Sequence, residues 1–247
     1  MHYLLNIGNT RVAAMPAAEL RESQIKYYAT ENFLAQWSPR GAWSATVACV
    51  VPAVRRQLEA RWPGCCHFIT SADFPELDFR SYGKGLGADR MANAAAGYRL
   101  ASNHAVMVVD CGTALNTVAV DRRGKFCGGV ILPGRQTALN SLGRQTAQLP
   151  EITVRQELTA LNPLPLNTEE AIRNGVDFAL LSGVERIIRA TRRKPGFGRC
   201  MVVLTGGDAP FYGRHLPPSL NVTIVAKSLT LDGIRLAASK KHPDSEP

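Results

Sequence analysis

Residues 106–121 read VMVVDCGTALNTVAVD, and the fold is decided in this stretch. Val106 to Val109 is a short Val-rich run of the kind buried strands use. It ends on a carboxylate, Asp110, with Gly112 and Thr113 directly behind it. A polar turn at the carboxyl end of a buried strand is a usual ligand site in α/β sheets. From Thr117 the pattern predicts a strand, a turn at Asp121-Arg122-Arg123-Gly124, and a second strand to Ile131. That is a hairpin, closed by Pro133-Gly134.

Working outward, the same design recurs. Tyr3 to Asn6 leads into Ile7-Gly8-Asn9-Thr10, so a polar strand end, one spacer, Gly and a nearby Thr occur twice. This is an internal duplication signal with its boundary just before Val106. Two further strands are predicted: Ala45 to Val51, stopped by Pro52, and Met201 to Leu204, leading into Thr205-Gly206-Gly207-Asp208. Between them lie helical patterns. Residues 89–100 place Met91, Ala94, Ala95 and Tyr98 on one face. Residues 169–190 space Ile172, Val176, Ala179, Leu180 and Val184 helically, and a third helix is predicted over 229–238. Strands alternating with helices, interrupted by a hairpin, give an α/β class with mixed sheets. Residues 243–247 read as a frayed tail.

Composition narrows the function classes. The chain has 247 residues, 45% of them hydrophobic and 20% charged, which excludes a disordered or collagen-like chain. No apolar run approaches the ~20 residues that span a bilayer, and MHYLLNIGNTRV does not read as a signal peptide. A cytoplasmic protein with no membrane partner is expected. The 29 Lys and Arg outnumber the 20 Asp and Glu, for a net charge of +9. The basic residues are dispersed except at Arg189, Arg192, Arg193 and Lys194 and at Lys240 and Lys241. Aromatic residues do not interleave with them, so a solvated helix end and tail are expected, not a nucleic-acid groove. The six cysteines form no CxxC pair or zinc spacing and read as reduced, mostly buried thiols.

Four short motifs carry chemistry. Asn6 to Arg11 offers backbone N–H groups and hydroxyls, the donors a polyphosphate needs. Asp110-Cys111-Gly112-Thr113 sets a carboxylate, able to bind a cation, beside a Gly that lets phosphate approach the backbone. Gly206-Gly207 allows a flat ligand to lie against the chain. Gly87-Ala88-Asp89-Arg90 opens the Ala-rich helix. Asp89 is either a helix cap or a proton acceptor whose neighbouring Arg and N–H groups hold an anion. Each turn alone reads as an ordinary turn; three in this order do not.

This order of motifs resembles the type III pantothenate kinases, of the actin-like and sugar-kinase-like ATPase superfold. The resemblance covers nearly the whole chain. Its pieces are LLNIGNTRV (4–12), VVP (50–52), GADRMANA (87–94), VVDCGTALNTVAVD (108–121), GGVILPG (128–134), TAQLP (146–150), NTEEAIRNG (167–175), LTGGDA (204–209) and LTLDGI (229–234). It implies two ribonuclease-H-like halves with mixed sheets, residues 1–104 and 105–247, and a cleft between them. It implies phosphorylation of pantothenate to 4′-phosphopantothenate by ATP with Mg2+, opening coenzyme A biosynthesis. The first phosphate loop maps onto Asn6, Gly8, Asn9, Thr10 and Arg11, and the catalytic base onto Asp89. Gly87, Ala88 and Arg90 map onto substrate contacts. Thr168 also does, across the interface of an expected homodimer. Asp110 matches the ligand of a monovalent cation, K+ or NH4+. Gly112 and Thr113 match the ATP turn, and Gly206 and Gly207 the nucleoside side.

Three positions depart from the family pattern. Asn6 stands where the first loop normally starts with Asp. Arg80-Ser81-Tyr82-Gly83-Lys84-Gly85 lacks the usual residues before GADR. Leu115 and Asn116 replace a Thr pair. Intact GADR favours an active kinase. Asn6 favours the alternative, a catalytically impaired paralogue that binds nucleotide or an acidic metabolite and regulates a partner.

Overall fold

A computed structural model describes residues 1–19, 21–154, 160–225 and 228–241. The expected tail, 243–247, and the side chains of Lys240 and Lys241 lie outside the described residues.

The chain opens with β1 (His2–Ile7), β2 (Arg11–Pro16) and β3 (Lys26–Ala29), then α1 (Phe33–Gln36), β4 (Ser44–Cys49), α2 (Pro52–Arg61) and β5 (Cys66–Phe68). These strands form one sheet in the order β3-β2-β1-β4-β5. After α3 (Ala88–Leu100) come β6 (Val106–Cys111), β7 (Ala114–Val120), β8 (Phe126–Gly128), β9 (Ile131–Pro133), α4 (Arg135–Gln145) and α5 (Thr168–Arg192). The remainder is β10 (Met201–Thr205), α6 (Ala209–His215), β11 (Val222–Ile224) and α7 (Leu229–Lys241). The second sheet runs β11-β10-β6-β7-β8, with β9 also on β7. The hairpin expected after Thr117 is present, but its return arm breaks at Gly128-Gly129 into two short strands.

The two sheets have the same topology. In the first, β1 is antiparallel to β2 and parallel to β4; in the second, β6 is antiparallel to β7 and parallel to β10. Asn6 and Asp110 are each the fifth residue of a six-residue first strand. The duplication legible in two short turns is therefore a duplication of whole sheets, and the chain has the mixed α/β fold with two ribonuclease-H-like sheets.

Because strand side chains alternate between faces, each sheet buries two apolar surfaces. Leu5, Ile7, Val12 and Val47 pack outward on Phe33 and Trp37 and on Val54 and Leu58 of α2. Met107, Val109, Leu115 and Val202 pack outward on Leu180, Val184 and Ile188 of α5 and Phe211 and Tyr212 of α6. The inward faces share one layer. Leu4, Met15 and Ala48 from the first sheet, and Val106, Val108, Val118 and Val203 from the second, enclose α3 and α7 in a single cluster. Though last in sequence, α7 returns to pack on α3, β1 and β4.

This layer corrects the one-faced reading of α3. Every residue from Arg90 to Tyr98 is buried, because α3 has a sheet or a helix on every side. Its alanines, which helix propensity explains in the sequence, also let neighbours come close. A side chain at Gly233 of α7 would overlap the carbonyl of Ala92. The thiols depart from expectation too. All six cysteines are free, but only Cys111 and Cys200 are buried, and Cys127 is exposed. The Arg189–Lys194 cluster falls at the C-terminal end of α5, where cations meet the negative end of the helix dipole.

Candidate active site

The strand ends of the two sheets converge on a cleft of about 590 Å³. Its walls include Asn6, Thr10 and Arg11 from the first turn, Asp110, Gly112 and Thr113 from the second, and Gly206 and Gly207 from the third. The β1–β2 turn is closed by the Gly8 N–H donating to the Arg11 carbonyl at 3.0 Å. Thr30 Oγ1 donates to the Gly8 carbonyl at 2.7 Å. Across the cleft, the Thr113 hydroxyl donates to the Thr10 hydroxyl at 3.0 Å. The first two turns thus face each other, with the two hydroxyls between them. The third is locked against the second. Gly206 has φ +92°, and a Cβ there would lie 2.7 Å from the Cys111 carbonyl oxygen and 2.8 Å from Asp110 Oδ1. Only glycine combines that backbone with that approach.

Asp110 stands at the floor of the cleft. Its Oδ2 accepts from Asn93 Nδ2 at 3.0 Å and from Asn116 Nδ2 at 3.4 Å. Asn93, fully buried on α3, in turn accepts from the Thr230 hydroxyl of α7 at 2.8 Å. Burial, then the charge of Asp89, push the Asp110 carboxyl up to about 6, against the amide hydrogen bonds that lower it.

Asp89 sits in the first turn of α3, half-buried, with its Oδ1 accepting from the Arg90 backbone N–H at 2.8 Å. Burial raises its carboxyl above the usual carboxylate range. Gly87 is the N-cap, and a Cβ there would fall 2.5 Å from Asp89 Oδ1. Ala88 begins the helix. Arg90 is buried beneath: its guanidinium donates to the Tyr82 hydroxyl at 2.8 Å and the Thr117 carbonyl at 3.4 Å, and lies over the Tyr82 ring. Gly8 and Asn9 complete the first turn. They, Gly87–Arg90 and Thr168 are not among the residues lining the cleft. Thr168 is the first residue of α5, behind Asn167, whose side chain accepts from the Glu170 N–H at 2.9 Å.

The cleft and the layer behind it hold residues the motif reading did not single out. Asn93 lies one helical turn beyond Asp89, so the i, i+4 spacing within GADRMANA carried a signal. Asp208, directly after Gly206-Gly207, lines the wall. Arg135 and Asp177, behind that wall, are a buried bidentate pair at 2.7 and 2.8 Å. No local pattern pairs residues 42 positions apart.

A hard cation fits this chemistry. The buried Oδ1 of Asn116 has no hydrogen-bond partner among the described residues, and oxygen is the ligand a hard cation takes. Among the described residues no cluster of three or more His, Cys, Asp or Glu could hold a metal.

Residues 4–190 match the sequence model of the type III pantothenate kinase family. A type III pantothenate kinase from Gluconobacter oxydans is 35% identical over 63% of this chain and 54% of its own length. One from Gloeobacter violaceus is 34% identical over 83% of this chain and 86% of its own length. The chain spans 50 to 59% of the length of the first three curated relatives it matches. Among solved structures, a Campylobacter jejuni chain assigned to the Baf family of transcriptional activators superposes with a TM-score of 0.67. That likeness covers 98% of this chain and 99% of the other at 19% identity, and is one of fold.

Proposed function

Because this chain belongs to the type III pantothenate kinase family, we propose that it transfers the γ-phosphoryl group of ATP to the primary hydroxyl of pantothenate. The products are 4′-phosphopantothenate and ADP, in the first step of coenzyme A biosynthesis. The observation that carries the reading is the pair of facing hydroxyl turns, Thr10 and Thr113, at 3.0 Å. They flank a cleft with Asp110 at its floor and Asp89 on the adjoining helix.

The roles proposed here follow the family resemblance, with the three turns supporting them. Asn6, Gly8, Asn9, Thr10 and Arg11 cradle the phosphates from one sheet, and Gly112 and Thr113 from the other. Gly206 and Gly207 back the nucleoside. Asp89 takes the proton as the hydroxyl oxygen bonds to phosphorus and the bond to the ADP oxygen breaks. Its raised carboxyl brings it closer to working pH, which a general base requires. Gly87, Ala88 and Arg90 shape the pantothenate side, Arg90 through Tyr82. Mg2+ offsets the phosphate charge when bound. Asp110 would hold a cation, K+ or NH4+ by family analogy. A homodimer would bring Thr168 of one protomer to the other's pocket. A cytoplasmic setting suits such an enzyme, and among the described residues no helix is long and apolar enough to cross a membrane.

One observation favours a second reading. The first turn begins with Asn6, an amide where the family pattern has a carboxylate, as expected of a binding paralogue with a regulatory role. Pantothenate-dependent ADP release separates the two. The kinase reading expects turnover that falls ~10²–10⁴-fold in Asp89→Asn with ATP affinity retained. Nucleotide binding without pantothenate-dependent release would establish the paralogue. Unchanged turnover in Asp89→Asn would reduce Asp89 to a helix cap.

A further inference from the structure

Arg135 and Asp177 have no part in the chemistry above, yet they form the most buried ion pair described. The Arg135 side chain is 7% exposed and that of Asp177 10%. Nε and Nη2 of Arg135 are both spent on Asp177, at 2.7 and 2.8 Å. The guanidinium lies 3.7 Å from the Phe211 ring centre on α6. Its remaining nitrogen, Nη1, is 3.7 Å from Asp208 Oδ1. That is an ion pair beyond hydrogen-bond length.

Three charges in this cluster, one positive and two negative, leave one surplus negative charge, and Asp208 carries it into the cleft, where the charge of Arg11 from the first turn also acts on it. Its side chain is 18% exposed and lines the wall beside Gly206 and Gly207. A carboxylate here repels phosphate, so it must serve a part of the ligand that donates hydrogen bonds. Its two oxygens can accept from two adjacent hydroxyls at once. The cluster is also tied to the phosphate end. Arg135 directly follows Gly134, whose N–H donates to the Thr113 carbonyl at 3.0 Å, and the Asp208 N–H donates to the Cys111 carbonyl at 3.0 Å. Asp208 is thus held in fixed relation to the second phosphate turn.

We infer that Asp208, aimed by the buried Arg135–Asp177 pair, accepts hydrogen bonds from the vicinal hydroxyls of the nucleotide's ribose. The chain then discriminates ribonucleotides from deoxyribonucleotides. This rests on the reading of the cleft as an ATP site and adds the nucleotide class it selects. Asp208 is the specificity residue. Arg135 is a positioning residue, because the bidentate fork fixes its plane and leaves a single nitrogen for Asp208. Burial raises the Asp208 carboxyl, and the charges of Arg135 and Arg11 oppose that.

The test is calorimetric titration of the whole chain with ATP, 2′-deoxy-ATP, 3′-deoxy-ATP and GTP, with magnesium and without pantothenate. Hydrogen bonds to a charged group predict that the wild type binds either deoxy analogue ~10-fold or more weakly than ATP. Asp208→Asn should bring ATP down to the level of the deoxy analogues. Arg135→Lys should shrink the discrimination while retaining charge. GTP, which keeps the ribose, should lose affinity in Asp208→Asn by the same factor as ATP. Equal wild-type affinity for ATP and both deoxy analogues overturns the assignment and leaves the kinase reading standing. So does a uniform loss across all four ligands in Asp208→Asn, the signature of a latch to Arg11 across the cleft. A wild-type protein that binds no triphosphate overturns the kinase reading and this inference together.

Discussion

Asn6 and Asp110 occupy equivalent places in the two sheets, yet one is an amide and the other an acid. An amide offers donors where a hydrated magnesium needs acceptors. If the chain turns over, Asn6→Asp should lower the magnesium needed for half-maximal rate, read as ADP release against magnesium concentration. Superimposable curves would show that position 6 takes no part in metal handling. Asp110 makes a second prediction. Its carboxyl is pushed up to about 6 in the folded chain, so just below that pH the folded state holds a proton that the unfolded chain releases. The sign follows from linkage: stability is greatest at the acid end and is lost as pH rises through 6. A displacement of that size corresponds to about 3 kcal/mol. Urea titrations should show the wild type losing up to that amount relative to Asp110→Asn between about pH 4 and pH 7. Parallel stability curves would mean that Asp110 is not desolvated in solution.

At the scale of elements, the glycines of two helices make opposite predictions. In α7, a Cβ at Gly233 would overlap the Ala92 carbonyl of α3, and backbone cannot yield as a flexible side chain does. Overpacking of this kind costs about 1–3 kcal/mol, more than the ~1 kcal/mol of helix propensity gained. Gly233→Ala should therefore destabilise by about 1–2 kcal/mol. In α5, a methyl group added at Gly183 would have nothing within 4 Å. Gly183→Ala should stabilise by about 0.5–1 kcal/mol. Thermal unfolding of the two variants checks both signs. The reverse order would mean that α3 and α7 are not in close contact. Both α5 and α7 are readable from sequence, because their apolar spacing is local. The segments α2, α4 and α6 and the edge strands β3, β5 and β11 are not, because they are short and held by neighbours, not by pattern. Periodicity also assigns α3 one apolar face, since it assumes a solvent side that α3 does not have.

The whole molecule is joined by its middle layer. Residues 1–104 and 105–247 each contain a complete sheet, but α3 and α7, which lie between the sheets, come from different halves of the chain. Neither half can bury its inner face without the other's helix. The chain should therefore unfold in one transition. All three tryptophans, Trp37, Trp43 and Trp62, pack on the outer side of the first sheet, so their fluorescence reports that half alone. Far-UV circular dichroism weighs the long helix α5 beside the second. The two signals should coincide in urea. Loss of tryptophan signal at lower urea would show that the halves unfold independently.

Much of the site was legible along the chain. Asp110, Gly112, Thr113 and the Gly206-Gly207 turn stand out because each occupies a strand end, and buried strand, glycine and polar side chain are neighbours in sequence. The repeat of Asn6 to Thr10 in Asp110 to Thr113 was visible for the same reason. The meeting of Thr10 with Thr113, 103 positions apart, required two sheets to stack on a common helical layer. The polar chain from Thr230 through Asn93 to Asp110, and the Arg135–Asp177 pair behind Asp208, arise the same way. Each partner is an ordinary polar residue in its own segment. It acquires a role only when packing removes water and leaves it one partner to bond.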